Sequence, residues 1–171
     1  TPKSLLRHPF VASTPRELAD GRWMKVIDDP DARGRAAEIR RLILCSGKVA
    51  VDLFSSANRA THPKIAIGRV EQVYPLPVTE IHAMIDAYPN LEDVVWVQEE
   101  PENMGAWDFV RPTLESLVGS RRLGVVARPR SSSPSEGSAT WHQVNQKAVV
   151  AQAFEEKVDA ANANRVVAKQ V

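Results

Sequence analysis

The sequence predicts an α/β domain built on a mostly parallel sheet with right-handed crossovers. Two observations carry this reading. Five short apolar runs alternate with stretches of helical periodicity at short spacing. One of those runs, Val94 to Val97 (VVWV), is continuously apolar rather than alternating, which suits a strand covered on both faces. With 171 residues, 43% of them hydrophobic and 25% charged, the chain is long enough to bury most of its apolar surface in one core.

The elements follow in order. Residues 1–20 carry Pro2, Pro9 and Pro15 and read as an irregular lead-in. Residues 21–158 form the α/β domain, and residues 159–171 a flexible tail without a clear apolar face. Trp23 to Ile27 (WMKVI) is a strand that Asp28-Asp29-Pro30 turns, and Asp31 to Arg40 a short charged helix. Leu42 to Cys45 (LILC) is the second strand, stopped by Ser46-Gly47. Lys48 to Arg59 reads as one helix with Val49, Ala50, Leu53 and Phe54 inward. Ile65 to Tyr74 is the third strand, with Ile65, Ile67, Arg69, Glu71 and Val73 on one face. The clearest helix follows, where Ile81, Met84, Ile85 and Tyr88 repeat at i, i+3, i+4, i+7 before Pro89. After the VVWV strand, Ala106 to Val118 is helical; Pro112 either starts its regular part near Phe109 or kinks it, and Gly119 caps it. Leu123 to Ala127 is the fifth strand, Ser131 to Ser138 a polar loop without packing potential, and Trp141 to about Val158 the final helix.

Lysine plus arginine total 22 against 21 acidic residues, a net charge of +1 that gives no support to nucleic-acid or membrane-surface binding by bulk charge. One cysteine, Cys45, excludes an internal disulfide framework and a cysteine-based zinc site. No apolar run approaches the roughly 20 residues of a membrane helix. The start TPKSLLRHPF lacks both an apolar signal segment and a methionine, so a fragment or a processed chain is expected.

Ligands of open α/β sheets gather at the carboxyl ends of strands. Cys45-Ser46-Gly47-Lys48 is such an end, running into a helix whose first N–H groups, with Lys48 beside them, would suit a phosphate or carboxylate. A plain turn capped by Ser46 is the favoured account, and the spacing is not that of a Walker loop. Cys45 closes an apolar strand and is expected to be a buried, inert thiol. The histidines (8, 62, 82 and 142) show no metal-ligand spacing, and neither a nucleophile elbow nor a dinucleotide fingerprint is present. Gln98 to Trp107 (QEEPENMGAW) is the least ordinary stretch. Glu99 and Glu100 could serve acid–base work or accept hydrogen bonds across an interface, and Trp107 beside two small residues could anchor a partner. Arg121, Arg122, Arg128 and Arg130 bracket the last strand as a solvated rim or an anion site.

Five strings taken together are TPKSLLRHP (1–9), LCSGKVAVDL (44–53), AIGRVEQVYPLP (66–77), WVQEEPENMGAWDFVRP (96–112) and RPRSSSPSEGS (128–138), the last followed by His142-Gln143. They resemble the C-terminal domain of the 2-oxoglutarate dehydrogenase first component, from residue 1 to about Phe154. The tail to Val171 and the segment after Gly137 depart from that pattern. The resemblance implies a transketolase C-terminal-like domain: three layers, helix–sheet–helix, with five strands, one of them antiparallel. It implies that thiamine diphosphate, magnesium and the catalytic histidines belong to upstream domains, so that no catalytic residue and no cofactor is expected in this chain. The implied partners are those upstream domains, a second protomer and the lipoyl acyltransferase complex of the tricarboxylic acid cycle enzyme. Glu99, Glu100, Asn103 and Trp107 would lie at the interface. A pocket for acetyl-coenzyme A or AMP would draw on Lys3, Arg7, Ser46, Gly47, Lys48 and Arg69. A reducing compartment is expected, the bacterial cytoplasm with the mitochondrial matrix as the alternative.

Three functions are weighed. The expected one is an assembly and regulatory domain of that enzyme, and the alternative is a free-standing nucleotide or acyl-coenzyme A binding module; a small enzyme using Glu99 or Glu100 finds no triad, metal set or cofactor loop in the sequence to support it. A domain cut from its parent is also expected to expose an apolar patch around Trp107 and Trp141.

Overall fold

A computed structural model describes residues 2–155 of the chain. The expected tail and the last residues of the expected final helix lie outside the described residues. Five strands form one sheet: β1 (Val26–Ile27), β2 (Arg41–Cys45), β3 (Ile65–Val70), β4 (Asp93–Pro101) and β5 (Arg122–Arg128), in the order β1-β3-β2-β4-β5. The pairs β2–β3, β2–β4 and β4–β5 are parallel; β1 alone is antiparallel, against β3. The expected mostly parallel five-stranded sheet is therefore present.

Alternation along buried strands explains why their sequences look continuously apolar. Leu42, Leu44, Ala66, Val94, Trp96 and Val125 face one layer, with α5 (Val78–Asp86) and α6 (Trp107–Leu117). Ile43, Cys45, Ile67, Val95, Val97 and Val126 face the other, with α3 (Lys48–Phe54) and α7 (Ala139–Ala153). Both faces are covered, so neither can be polar.

Several elements differ from the sequence expectation. The first strand shrinks to two residues, and Trp23 and Met24 stand exposed before it. In place of the charged helix from Asp31 to Arg40 there is one turn, α2 (Pro30–Arg33), and a 3-10 turn at Ala36–Glu38. The lead-in is less irregular than its prolines suggest, because Thr14 and Glu17 form a capping box on α1 (Pro15–Asp20). The expected helix from Lys48 to Arg59 splits at Ser55, since Ser56 caps a new helix, α4 (Ala57–Thr61), through the Asn58 N–H. β3 ends at Val70, and Val73 packs with the α5 side, opposite to Ile65 and Ile67. α6 starts at Trp107, carries Pro112 inside it, and Gly119 just beyond it takes φ +60°.

Two buried carboxylates tie elements together. Asp29 accepts the N–H groups of Asp31 and Ala32 at the start of α2 and that of Ile67 on β3, and pairs with Arg59 of α4 at 2.9 Å. Asp93 accepts both Nε and Nη2 of Arg41, at 3.0 and 2.8 Å, on neighbouring strands.

Candidate functional site

The carboxyl ends of β2 and β3 and the lead-in enclose a cleft of about 640 Å³. Its walls include Leu5, Leu6 and Arg7 from the lead-in, Gly47, Lys48 and Val51 from the β2–α3 turn, and Arg69 and Glu71 from the end of β3. Of the six residues expected to bind an anion, Arg7, Gly47, Lys48 and Arg69 meet here. Lys3 and Ser46 are not on its walls.

The turn is built by Gly47, whose φ of 75° and ψ of −146° fall in a region that residues with a Cβ rarely enter. Ser46 does not cap α3; no side chain does. With seven residues, α3 is too short for its terminus to define a site, so positive charge has to come from side chains.

Those side chains are not idle. Lys48 pairs with Asp52 one turn along α3 and lies 3.7 Å from Glu99 Oε1 at the end of β4. Arg69 is held by Glu71 at 2.7 Å. Behind α3, a second groove of about 450 Å³ opens toward α7, with Lys48, Asp52, Ser55, His142, Gln146 and Lys147 among its lining. Gln146 donates to Asp52 at 2.7 Å. Burial raises the Glu99 carboxyl above its ordinary range, and the nearby Asp52 and Glu100 push the same way; Lys48 and Gln146 oppose them.

Cys45, in the core beneath α3, is fully buried, and its Sγ lies 3.7 Å from the Gly68 carbonyl. Burial pushes its thiol up to about 12, so the inert thiol expected from the sequence is what the fold makes.

The QEEPENMGAW stretch has a structural centre that the sequence did not announce. β4 runs through Glu99 and Glu100 to Pro101. Gln98 is buried; its carbonyl accepts the indole N–H of Trp96 and the backbone N–H of Trp107, and its amide donates to the carbonyls of Pro101 and Met104. Trp107 is 6% exposed and belongs to this chain's own core, so it does not form the expected patch with Trp141, which is 52% exposed. Glu100 is exposed, and Asn103 exchanges two hydrogen bonds of 2.9 Å with the backbone of Ser131.

The polar loop does pack. Arg128 donates to the carbonyls of Glu99 and Pro134 and pairs with Glu136, which in turn accepts from Asn145 of α7. Burial alone would raise the Glu136 carboxyl; the hydrogen bonds from Asn145, its own backbone and Arg128 outweigh it and hold it low. Of the four arginines around β5, Arg122 and Arg130 also face carboxylates, Asp93 and Glu102, each at 3.7 Å. Among the described residues no group of three or more His, Cys, Asp or Glu is placed to hold a metal ion, and no helix is long and apolar enough to cross a membrane.

The five-stranded, mostly parallel sheet with helices on both faces and a cleft at its carboxyl edge defines a three-layer α/β domain, and comparison with known proteins places it more narrowly. Residues 12–154 match the family described as 2-oxoglutarate dehydrogenase C-terminal, and the chain belongs to that family. It is 40% identical over 162 residues to a protein of Bacillus cereus named 2-oxoglutarate dehydrogenase E1 component, covering 92% of this chain and 17% of that protein. Proteins of the same name in Bacillus mycoides and Bacillus anthracis are 39% identical over the same length. The chain thus spans about a sixth of the length of these relatives.

Proposed function

We propose that this chain is the C-terminal domain of a 2-oxoglutarate dehydrogenase first component and that its work is assembly and regulation. The observation that carries this is the uncovered apolar surface of the segment that leads into the domain: Leu6, Phe10, Leu18, Trp23 and Met24 are exposed within residues 6–24, with Leu18 at 76% and Trp23 at 69%. Surface of that kind suits burial against the upstream domains of the same polypeptide and a second protomer. Glu100 and Asn103 would contribute to the same contacts; Glu99 and Trp107 support them from beneath.

In this reading the whole enzyme, in the bacterial cytoplasm, decarboxylates 2-oxoglutarate and passes the succinyl unit to the lipoyl acyltransferase of its complex. Thiamine diphosphate and magnesium would be held by upstream domains of the whole enzyme. The cleft walled by Arg7, Lys48 and Arg69 would take an effector with phosphate groups, acetyl-coenzyme A or AMP. Lys3, exposed on the same lead-in, and the Ser46 turn would flank it.

The mass of the native polypeptide in its source extract tests the assignment. An immunoblot band several times larger than 18.9 kDa is expected. A band near that mass would overturn the assembly role and leave the free-standing binding module, for which the same cleft would serve. In the full-length enzyme, Leu18→Glu with Trp23→Glu is expected to loosen the dimer in analytical ultracentrifugation; an unchanged dimer would count against the lead-in as an interface.

A further inference from the structure

Lys48 stands at the first position of α3 and lines both the lead-in cleft and the groove toward α7. Its ammonium is engaged by Asp52, which lines the groove, and lies 3.7 Å from Glu99 Oε1 at the end of β4. We propose that Glu99 governs how tightly the lead-in cleft holds an anion, because it competes for the Lys48 ammonium: an anion that draws Lys48 toward the cleft leaves Glu99 to take up a proton from solvent. This rests on the reading of the cleft as an effector site.

The charges around Glu99 make the linkage directional. α3 presents Lys48 and Asp52 to it, β4 its neighbour Glu100, α7 the amide of Gln146, and β2 the buried Cys45 thiol. Arg128 of β5 is turned away from the carboxylate, onto the Glu99 backbone carbonyl, the Pro134 carbonyl and Glu136. Among the described residues Lys48 is therefore the cation that acts on this carboxyl, and it serves two carboxylates. Once it leaves, two partly buried carboxylates face each other across Gln146, and close like charges favour protonation of the more buried one. Binding and proton uptake become one event, and the affinity of the cleft rises as pH falls through the Glu99 titration.

Calorimetry on the intact chain with acetyl-coenzyme A at about pH 6, in two buffers of different ionisation heat, counts the protons taken up. Glu99→Gln keeps the size of the side chain and an acceptor for Gln146. It is expected to bind several-fold tighter than the wild type and to take up fewer protons; Asp52→Asn is expected to bind tighter as well. Lys48→Met is expected to weaken binding in either background. If Glu99→Gln matches the wild type in affinity and proton count while Lys48→Met weakens binding, the competition is overturned and the cleft stands. If the wild type shows no binding at all, the cleft reading fails and this inference falls with it.

Discussion

The Gln98 side-chain carbonyl accepts the backbone N–H of Trp107 at 3.0 Å, tying the end of β4 to the first residue of α6 across a nine-residue span. The same side chain makes three further hydrogen bonds, so nothing about it is spare. Gln98→Ala leaves the Trp96 indole N–H, the Trp107 N–H and two carbonyls without their partner in a buried site. The expected loss is about 2–4 kcal/mol in urea unfolding, since each unsatisfied buried group costs about 1–3 kcal/mol and relaxation recovers part. A loss under about 0.5 kcal/mol would show that other groups or water replace the amide.

The Arg41–Asp93 pair tests a different balance. Asp93→Ala takes the carboxylate from an almost wholly buried guanidinium, which keeps the carbonyls of Ala153 and Glu155, and a loss of about 3–5 kcal/mol is expected. Replacing both residues by apolar ones of similar size, Arg41→Met with Asp93→Leu, is expected to cost far less, because the desolvation of the charges disappears with them. Thermal unfolding of the three proteins reads this directly.

Cys45 gives the pH prediction. Its folded thiol stays protonated to about 12, whereas the unfolded thiol ionises near 9.0. Between those values the unfolded chain binds fewer protons than the folded one. Stability contributed by the thiol is therefore intact below about pH 9 and is lost as pH rises, by up to about 1.4 kcal/mol per unit. Cys45→Ala is expected to flatten that alkaline decline relative to the wild type, and native Cys45 is expected to resist iodoacetamide at pH 8 until the chain unfolds. Rapid alkylation of the folded protein would contradict both.

Arg128 pins the loop of residues 131–138 through the Pro134 carbonyl and Glu136. Arg128→Met is expected to raise the rate of proteolytic cleavage in that loop by roughly tenfold or more, equivalent to about 1.4 kcal/mol of local stability. Because the folded Glu136 carboxyl is held low, its share of the anchor is present at neutral pH and is lost as pH falls through its folded titration. Cleavage by an acid-tolerant protease is then expected to accelerate at low pH in the wild type and to change less in the variant.

Elements whose cause is local were the readable ones. β2, β4 and β5 announce themselves as apolar runs, and the Ile81–Met84–Ile85–Tyr88 stripe gives α5 to within a few residues. The break between α3 and α4 had a signal in the Ser55-Ser56 pair, overridden by helical apolar spacing on both sides. What the pattern could not convey were partners distant in sequence. Gln98 looks like the polar end of a strand until Trp107 returns to it, and the serine-rich loop looks solvated until Arg128 reaches Pro134 and Glu136. The anion-binding residues were recognisable as residue types at the carboxyl end of a strand. That Lys48 is already committed to Asp52 and Glu99, residues on two different elements, was not.

The order of the strands has a consequence for how the chain is made. β2 is the middle of the sheet, and its partner on one side, β4, begins 52 residues later at Asp93. At ordinary ribosomal rates of about 5–20 residues per second, roughly 3–10 s pass between synthesis of Arg41 and of Asp93. Through that interval the Leu42–Cys45 strand has a bare hydrogen-bonding edge on the side that β4 will fill, and the apolar face that α6 and α5 share is not yet closed by α6. The nascent chain is most open to strand pairing with a neighbour on the same messenger then, and that is when a chaperone would have the most to hold.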